Sequence, residues 1–148
     1  MMLMLMAMLA QIATKPAAAD SVVGAWLTDD KKGVIQLAPC PADPSQLCGT
    51  IVKILAPADP AAIDEHNPNP NLRQRRVLGQ TILTGFHLTP SNPACPWQLG
   101  KAYDPEDGAT HTDIQLCLGD ADHLVLSKAL HLGVFSSAVS QRTWQKLK

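Results

Sequence analysis

Trp97-Gln98-Leu99-Gly100-Lys101-Ala102-Tyr103, then Asp104-Pro105-Glu106-Asp107-Gly108, then Ala109-Thr110-His111-Thr112-Asp113-Ile114-Gln115-Leu116-Cys117-Leu118 reads as two β-strands around one turn. Pro105 presets a turn φ, Asp104 and Asp107 are able to bond their own backbone, and Gly108 tolerates positive φ. After the turn, Ile114, Leu116 and Leu118 alternate with His111, Asp113, Gln115 and Cys117. A period of two puts one set on a buried face and the other toward water, as in antiparallel sheets. Pairing Tyr103 with Ala109 sets Lys101 opposite His111, Trp97 opposite Gln115 and Cys95 opposite Cys117. Opposed residues of a non-hydrogen-bonded pair approach closely enough for a disulfide, so Cys95–Cys117 is expected.

Outward from this hairpin, short apolar or alternating segments recur between turn signals at 22–28, 34–37, 50–55, 81–88, 123–130 and 140–146. With the hairpin they make about eight strands, enough for a small closed all-β barrel. Gly85, inside the 81–88 segment, marks a bulge or a close backbone approach. Cys40 and Cys48 flank the turn-rich residues 41–47, so Cys40–Cys48 is the second expected disulfide. A Cys₄ metal site is the competing reading, but no C-x₂-C spacing is present. Residues 132–138, with Gly133 and Ser136-Ser137, read as a loop before the last strand. Leu124, Leu126, Leu130, Leu132 and Phe135 form an apolar stripe read as barrel core.

The two chain ends predict how the barrel closes. Gly24-Ala25-Trp26 opens the first strand, and Arg142-Thr143-Trp144 lies in the last. A cation from the last strand laid over the Trp26 indole is worth about 0.5–2 kcal/mol, depending on desolvation. Gly24, Trp26, Arg142, Trp144 and Lys146 are therefore the closure set, and their role is structural.

Residues 56–78 are an exception. Such a long connection in a compact domain serves as a lid or a binding loop, or is disordered. Asn67-Pro68-Asn69-Pro70 stiffens it, and Asn71 is placed to cap a short helix over 72–78, stopped by Gly79. That helix would cover one barrel mouth.

Residues 1–10 form an apolar run, followed by polar residues and Ala17-Ala18-Ala19-Asp20. This is the pattern of a cleaved secretory signal over 1–19, leaving one barrel domain over 20–148. The run is too short for a bilayer, which needs roughly 20 apolar residues. No stable membrane insertion is expected, and periplasmic export fits four cysteines paired as two disulfides. The formal net charge is −1, without the basic stripe of a nucleic-acid binder.

Six motifs occur in order: Gly24-x-Trp26, Leu47-Cys48-Gly49-x-Ile51-Val52, Asn67-Pro68-x-Pro70-x-Leu72-Arg73-x-Arg75, Gly79-x-Thr81-Ile82-Leu83-x-Gly85-Phe86, Tyr103-Asp104-Pro105-Glu106-Asp107-Gly108 and Thr143-Trp144. This set resembles the bacterial family called domain of unknown function 2147, across nearly the whole of 20–148. The resemblance implies an exported, lipocalin-like β-barrel and brings no established activity. After Gly108 the family pattern has a basic residue and then tyrosine, where this chain has Ala109-Thr110-His111. Two positions after the final tryptophan the pattern has arginine, and here Lys146 stands. The cation over Trp26 is thus either Arg142 or Lys146.

No nucleophile elbow, Walker loop, dinucleotide fingerprint or zinc-protease helix is present, which weighs against an enzyme and gives no catalytic residue. A Cys–His catalytic pair needs a free thiolate, which paired cysteines exclude. The best polar constellation is Asp64, Asn67, Arg73 and Arg75 in the long loop with Tyr103, Asp104, Glu106 and Asp107 in the hairpin. Arginine forks there suit a ligand carboxylate or phosphate, and the acidic turn offers oxygen ligands to calcium. The structural alternative has the arginines tie the loop to the acidic turn. His111 and Asp113 share a face, with His131 across the following turn, but scattered surface histidines are commoner than a metal site. No metal and no cofactor are expected.

The leading expectation is a non-enzymatic periplasmic barrel binding a small hydrophobic or amphipathic molecule, or a peptide, under the loop. Its rival is an envelope structural or protein-interaction module with a filled core. A hydrolase or isomerase at Arg73, Tyr103 and Asp104 ranks third. A lumen of roughly 300 Å³ or more separates the first from the second.

Overall fold

The computed structural model describes residues 20–132 and 135–148, the side chains of 129–140 excepted. Eight antiparallel strands, each bonded to the next in chain order, close into a barrel. They are β1 (Gly24–Leu27), β2 (Gly33–Pro39), β3 (Gln46–Ile54), β4 (Thr81–Leu88), β5 (Trp97–Asp104), β6 (Ala109–Leu118), β7 (His123–Leu132) and β8 (Phe135–Lys146). Closure pairs β1 with β8, which removes the exposed strand edges of an open sheet. The all-β barrel expected from the strand pattern is the fold observed. The expected signal over 1–19 lies outside the described residues, as do the side chains of Leu130, His131, Leu132 and Phe135.

Alternation in β6 places Ile114 and Leu116 in the core and leaves His111 and Asp113 exposed. Trp26, Leu37, Leu47, Phe86, Leu116 and Leu124 are almost completely buried. Burial of such side chains stabilises by about 1.5–3 kcal/mol each. Phe86 packs where β5 carries Gly100, because a Cβ at that position would overlap the phenyl ring.

The two expected disulfides, Cys40–Cys48 and Cys95–Cys117, are both formed. The register that suggested the second is shifted, however. Asp104, not Tyr103, pairs with Ala109; Ala102 replaces Lys101 opposite His111; and Trp97 meets Leu116 rather than Gln115. The pairing breaks register twice, and Leu99 and Asp113 adopt positive φ of 61° and 57°. Such bulges insert unpaired residues, so simple opposition fails along the hairpin. Cys95 instead precedes β5, held where the Leu118 N–H donates to the Ala94 carbonyl at 2.9 Å.

Three other expectations are corrected. The strand expected at 50–55 begins earlier, at Gln46, before the disulfide cysteine. The last strand begins at Phe135, so residues 135–138, expected in a loop, extend a long β7–β8 hairpin. No helix spans 72–78. A 3₁₀ turn covers Pro70–Leu72, with Asn69, not Asn71, as its cap. The backbone that the helix needed is engaged elsewhere: the Asp64 N–H donates to the Arg75 carbonyl at 2.9 Å and the Val77 N–H to the Ala62 carbonyl at 3.0 Å.

Lys146 supplies the cation at the seam, its Nζ 5.3 Å from the Trp26 ring centroid. It also donates to the Ser21 carbonyl at 3.0 Å, while the Trp26 indole N–H donates to the Val22 carbonyl at 2.8 Å. Arg142 does not reach Trp26. Four residues of strand span about 13 Å, and that distance carries Arg142 toward the other end, where it meets Asp29 at 3.4 Å.

The antiparallel order sorts the connections onto two ends. The 3₁₀ turn Asp20–Val22, both disulfides and the β6–β7 turn lie at the Lys146 end. The β1–β2 turn, the long connection after β3 and the β5–β6 turn lie at the opposite end.

Candidate functional site

Beneath the end that carries the long connection lies a cavity of about 530 Å³. Ile35, Ile51, Leu83, Leu126 and Trp144 line its interior, and Ile63 and Val77 of the long connection contribute as well. Strand alternation explains this wall: each strand presents every second residue inward. Trp26, Phe86 and the other fully buried residues named above do not line it; they fill the barrel toward the disulfide end. His111 and Ala102 are shared with an adjoining cavity of about 170 Å³. Trp144, 5% exposed, lines the larger cavity, and its Nε1–H has no hydrogen-bond partner among the described residues.

Part of the predicted polar constellation, Asn67, Arg75 and Tyr103, forms a compact knot around Asp64. Asp64 is fully buried in the long connection. The Tyr103 hydroxyl donates to its Oδ1 at 2.5 Å, and Asn67 Nδ2 donates to Oδ2 at 2.8 Å. Arg75 approaches the same Oδ2 at 3.3 Å with a side chain 45% exposed, and Gln80 Nε2 at 3.4 Å. The two short bonds dominate, because hydrogen-bond strength falls with distance and solvent weakens the Arg75 pair. Arg73 donates through Nε to the Asn67 carbonyl at 2.8 Å rather than to a carboxylate. Asn67 Oδ1 accepts from the Asn69 N–H at 2.9 Å, which begins the 3₁₀ turn.

Electrostatics lock both central groups in their ordinary protonation states. Burial pushes the Asp64 carboxyl up, but Tyr103, Asn67, Gln80 and Arg75 outweigh it and hold the net pKa below the usual value. Burial, then the Asp64 hydrogen bond and charge, push the Tyr103 phenol up to about 12. Neither group is poised to exchange a proton near neutral pH, as a general acid or base must. The knot is built to hold, since it fastens the long connection to β5. Gly108 reinforces the same docking: its φ is +74°, and a Cβ there would overlap the His66 carbonyl.

Of the predicted ligand-binding residues, Tyr103 and Asp104 line the cavity, whereas Asp64, Asn67, Arg73 and Arg75 do not. The arginines do not tie the loop to the acidic turn either. Asp104 Oδ1 and Asp107 Oδ1 accept the Glu106 and Ala109 N–H groups at 2.9 and 2.8 Å, ordinary turn chemistry. Glu106 pairs with Lys32 at 3.0 Å. Among the described residues, no group of three or more His, Cys, Asp or Glu is arranged to hold a metal ion. Sequence reasoning missed Gln80, whose only signal was a polar residue directly before an apolar strand. It also missed that Ile35, Ile51 and Leu83 would bound a cavity, since periodicity marks an inward face without saying whether it is filled.

A closed eight-stranded antiparallel barrel with an apolar cavity at one end defines a lipocalin-like protein. The chain belongs to the family described as uncharacterized protein conserved in bacteria (DUF2147), whose model matches residues 24–146. A similar solved structure is protein HP1028 from Helicobacter pylori, described as belonging to the lipocalin family, with a TM-score of 0.67 at 19% identity. The match covers 86% of this chain and 83% of that one. Among curated proteins, none matches the sequence.

Proposed function

We propose that this protein is an exported periplasmic barrel that binds a small hydrophobic or amphipathic molecule in the cavity beneath its long connection. The observation that carries this reading is the apolar cavity of about 530 Å³. Ligand sites typically enclose about 300–1,000 Å³ with mostly apolar walls and few polar groups. The unpartnered Trp144 N–H on the wall adds support, because a buried donor without an acceptor costs about 1–3 kcal/mol. A filled-core envelope module working through its surface, with a protein or peptide partner, is the rival reading, and an open lumen favours the first. Two disulfides are compatible with an oxidising compartment, and the apolar run before Ala17-Ala18-Ala19 supports export.

Native mass spectrometry of protein purified from the periplasm tests both parts. The expected result is a chain beginning near Asp20 that carries an adduct of one lipophilic mass class. Protein that emerges bare and takes up no added decanol overturns the binding reading. Retention of residues 1–19 in a cytoplasmic product overturns export.

A further inference from the structure

The polar groups around the cavity are unevenly charged. Among the described residues, six acidic residues line it, Asp29, Asp30, Asp59, Glu65, Asp104 and Glu106, against two permanent cations, Lys32 and Arg142. Both cations are already engaged: Lys32 with Glu106 at 3.0 Å, and Arg142 with Asp29 at 3.4 Å. Asp30, Asp59, Glu65 and Asp104 are left without a lysine or arginine ion pair among the described residues. Their hydrogen bonds go to turn N–H groups and to Thr28, and Glu65 stands 3.4 Å from the His66 ring. Despite burial, Thr28, Lys32 and, more weakly, Arg142 hold the Asp30 carboxyl below the usual range, so it stays charged, and the Lys32 charge also reaches Asp104.

Neighbouring arginines do not reverse this balance. Arg75 is committed to Asp64 and Arg73 to the Asn67 carbonyl, and neither they nor Arg76 line the cavity. Lys128 lines only the adjoining smaller cavity. Residues 129–140 contain no Lys, Arg, Asp or Glu, so the fixed charge that the β7–β8 hairpin brings to this cavity is Arg142, already paired with Asp29. Charge of one sign around a low-dielectric opening focuses its field and raises the local concentration of the opposite charge.

We propose that the ligand of this cavity is a cationic amphiphile, with its apolar chain among Ile35, Ile51, Leu83 and Leu126 and its cationic head at the Asp30, Asp59, Glu65 and Asp104 carboxylates. This rests on the ligand-binding reading above and adds the sign of the head group. An anionic amphiphile of equal length, such as a fatty acid, meets the same apolar wall but is repelled at the rim.

The test titrates the full disulfide-bonded protein with decyltrimethylammonium, decanol and decanoate, following tryptophan fluorescence and calorimetric heat. At low salt the ammonium is expected to bind about ten-fold or more tightly than decanoate, with decanol between them. The ratio is expected to shrink as salt screens the rim. In the combined variant Asp59→Asn, Glu65→Gln and Asp104→Asn, the ratio is expected to fall about three-fold while decanol binding is kept. Decanoate binding as well as the ammonium, with decanol bound, overturns the cationic assignment and leaves the cavity reading standing. If none of the three binds, both readings fall together. A variant that loses decanol binding as well overturns the selecting role of these three carboxylates.

Discussion

At one end of the barrel, Trp26 is packed beneath the Asp20–Val22 turn, Lys146 lies over its ring, and two disulfides tie the connections. At the other, one long connection, residues 55–80, and carboxylate-rich turns surround a cavity of about 530 Å³ that remains among apolar side chains. The long connection there is held by a buried carboxylate with its hydrogen-bond donors, not by a covalent bond. The contrast shows a division of labour within one sheet. Dense apolar packing and crosslinks carry stability at the closed end. Directional polar contacts position a loop over the open one without filling the space beneath it.

The largest break in this comparison is Trp26→Ala. It removes a fully buried indole from the closed end and should cost about 3–5 kcal/mol in urea unfolding. A cost below about 1 kcal/mol would remove the closed end from its place as the stable one.

Next comes the joint change Cys95→Ser and Cys117→Ser, which opens a crosslink spanning 22 residues. A loss of about 2–4 kcal/mol is expected from the freed unfolded chain. Decanol affinity should stay unchanged under native conditions. A collapse of affinity at full folding would show that the ends are not separable.

Asp64→Asn should have the smallest effect, about 1–3 kcal/mol, from weakening charge-assisted hydrogen bonds at the loop. Its sharper readout is Tyr103, the one tyrosine in the chain. In the variant, the phenol titration should move from about 12 back toward the ordinary 10.0. The wild-type pH profile follows from the same pair. The Asp64 carboxyl is lowered on folding, so its contribution is complete above its ordinary 3.8 and disappears as pH falls through the folded value. Tyr103 is raised on folding, so its contribution is complete below 10.0 and is lost as pH climbs toward 12. Ultraviolet titration of phenolate with parallel unfolding curves checks both limbs, and a phenol titrating near 10.0 in the wild type would dissolve the knot.

Much of the closed end was legible along the chain. Gly24-x-Trp26 and the terminal Trp144 marked the seam, and the spacing of Cys40 with Cys48 around a turn-rich loop marked a crosslink. Cys95–Cys117 was legible too, although by a register that two irregularities displaced. At the open end the same reasoning singled out several residues that meet, but expected a different arrangement. Asp64, Asn67, Arg75 and Tyr103 do gather, but around each other, and of the four only Tyr103 also lines the cavity. The helix expected over 72–78 gave way because residues 62–64 claimed the backbone of 75 and 77 in a small bridge. That bridge joins segments a dozen residues apart, and no local propensity reports it.

By itself, the sequence determined the strand alternation, the turns, the Cys40–Cys48 crosslink and the place of Gly24-x-Trp26 at the start of the first strand, because each depends on short-range geometry or on a fixed two-residue period. Only the tertiary structure decided that Lys146 rather than Arg142 covers Trp26, that Gln80 joins the Asp64 knot, and that the barrel is filled at one end and hollow at the other. Those outcomes depend on strand stagger and on the volumes of side chains meeting from opposite walls. Both are set by how the sheet closes, and no single segment of the chain carries that information.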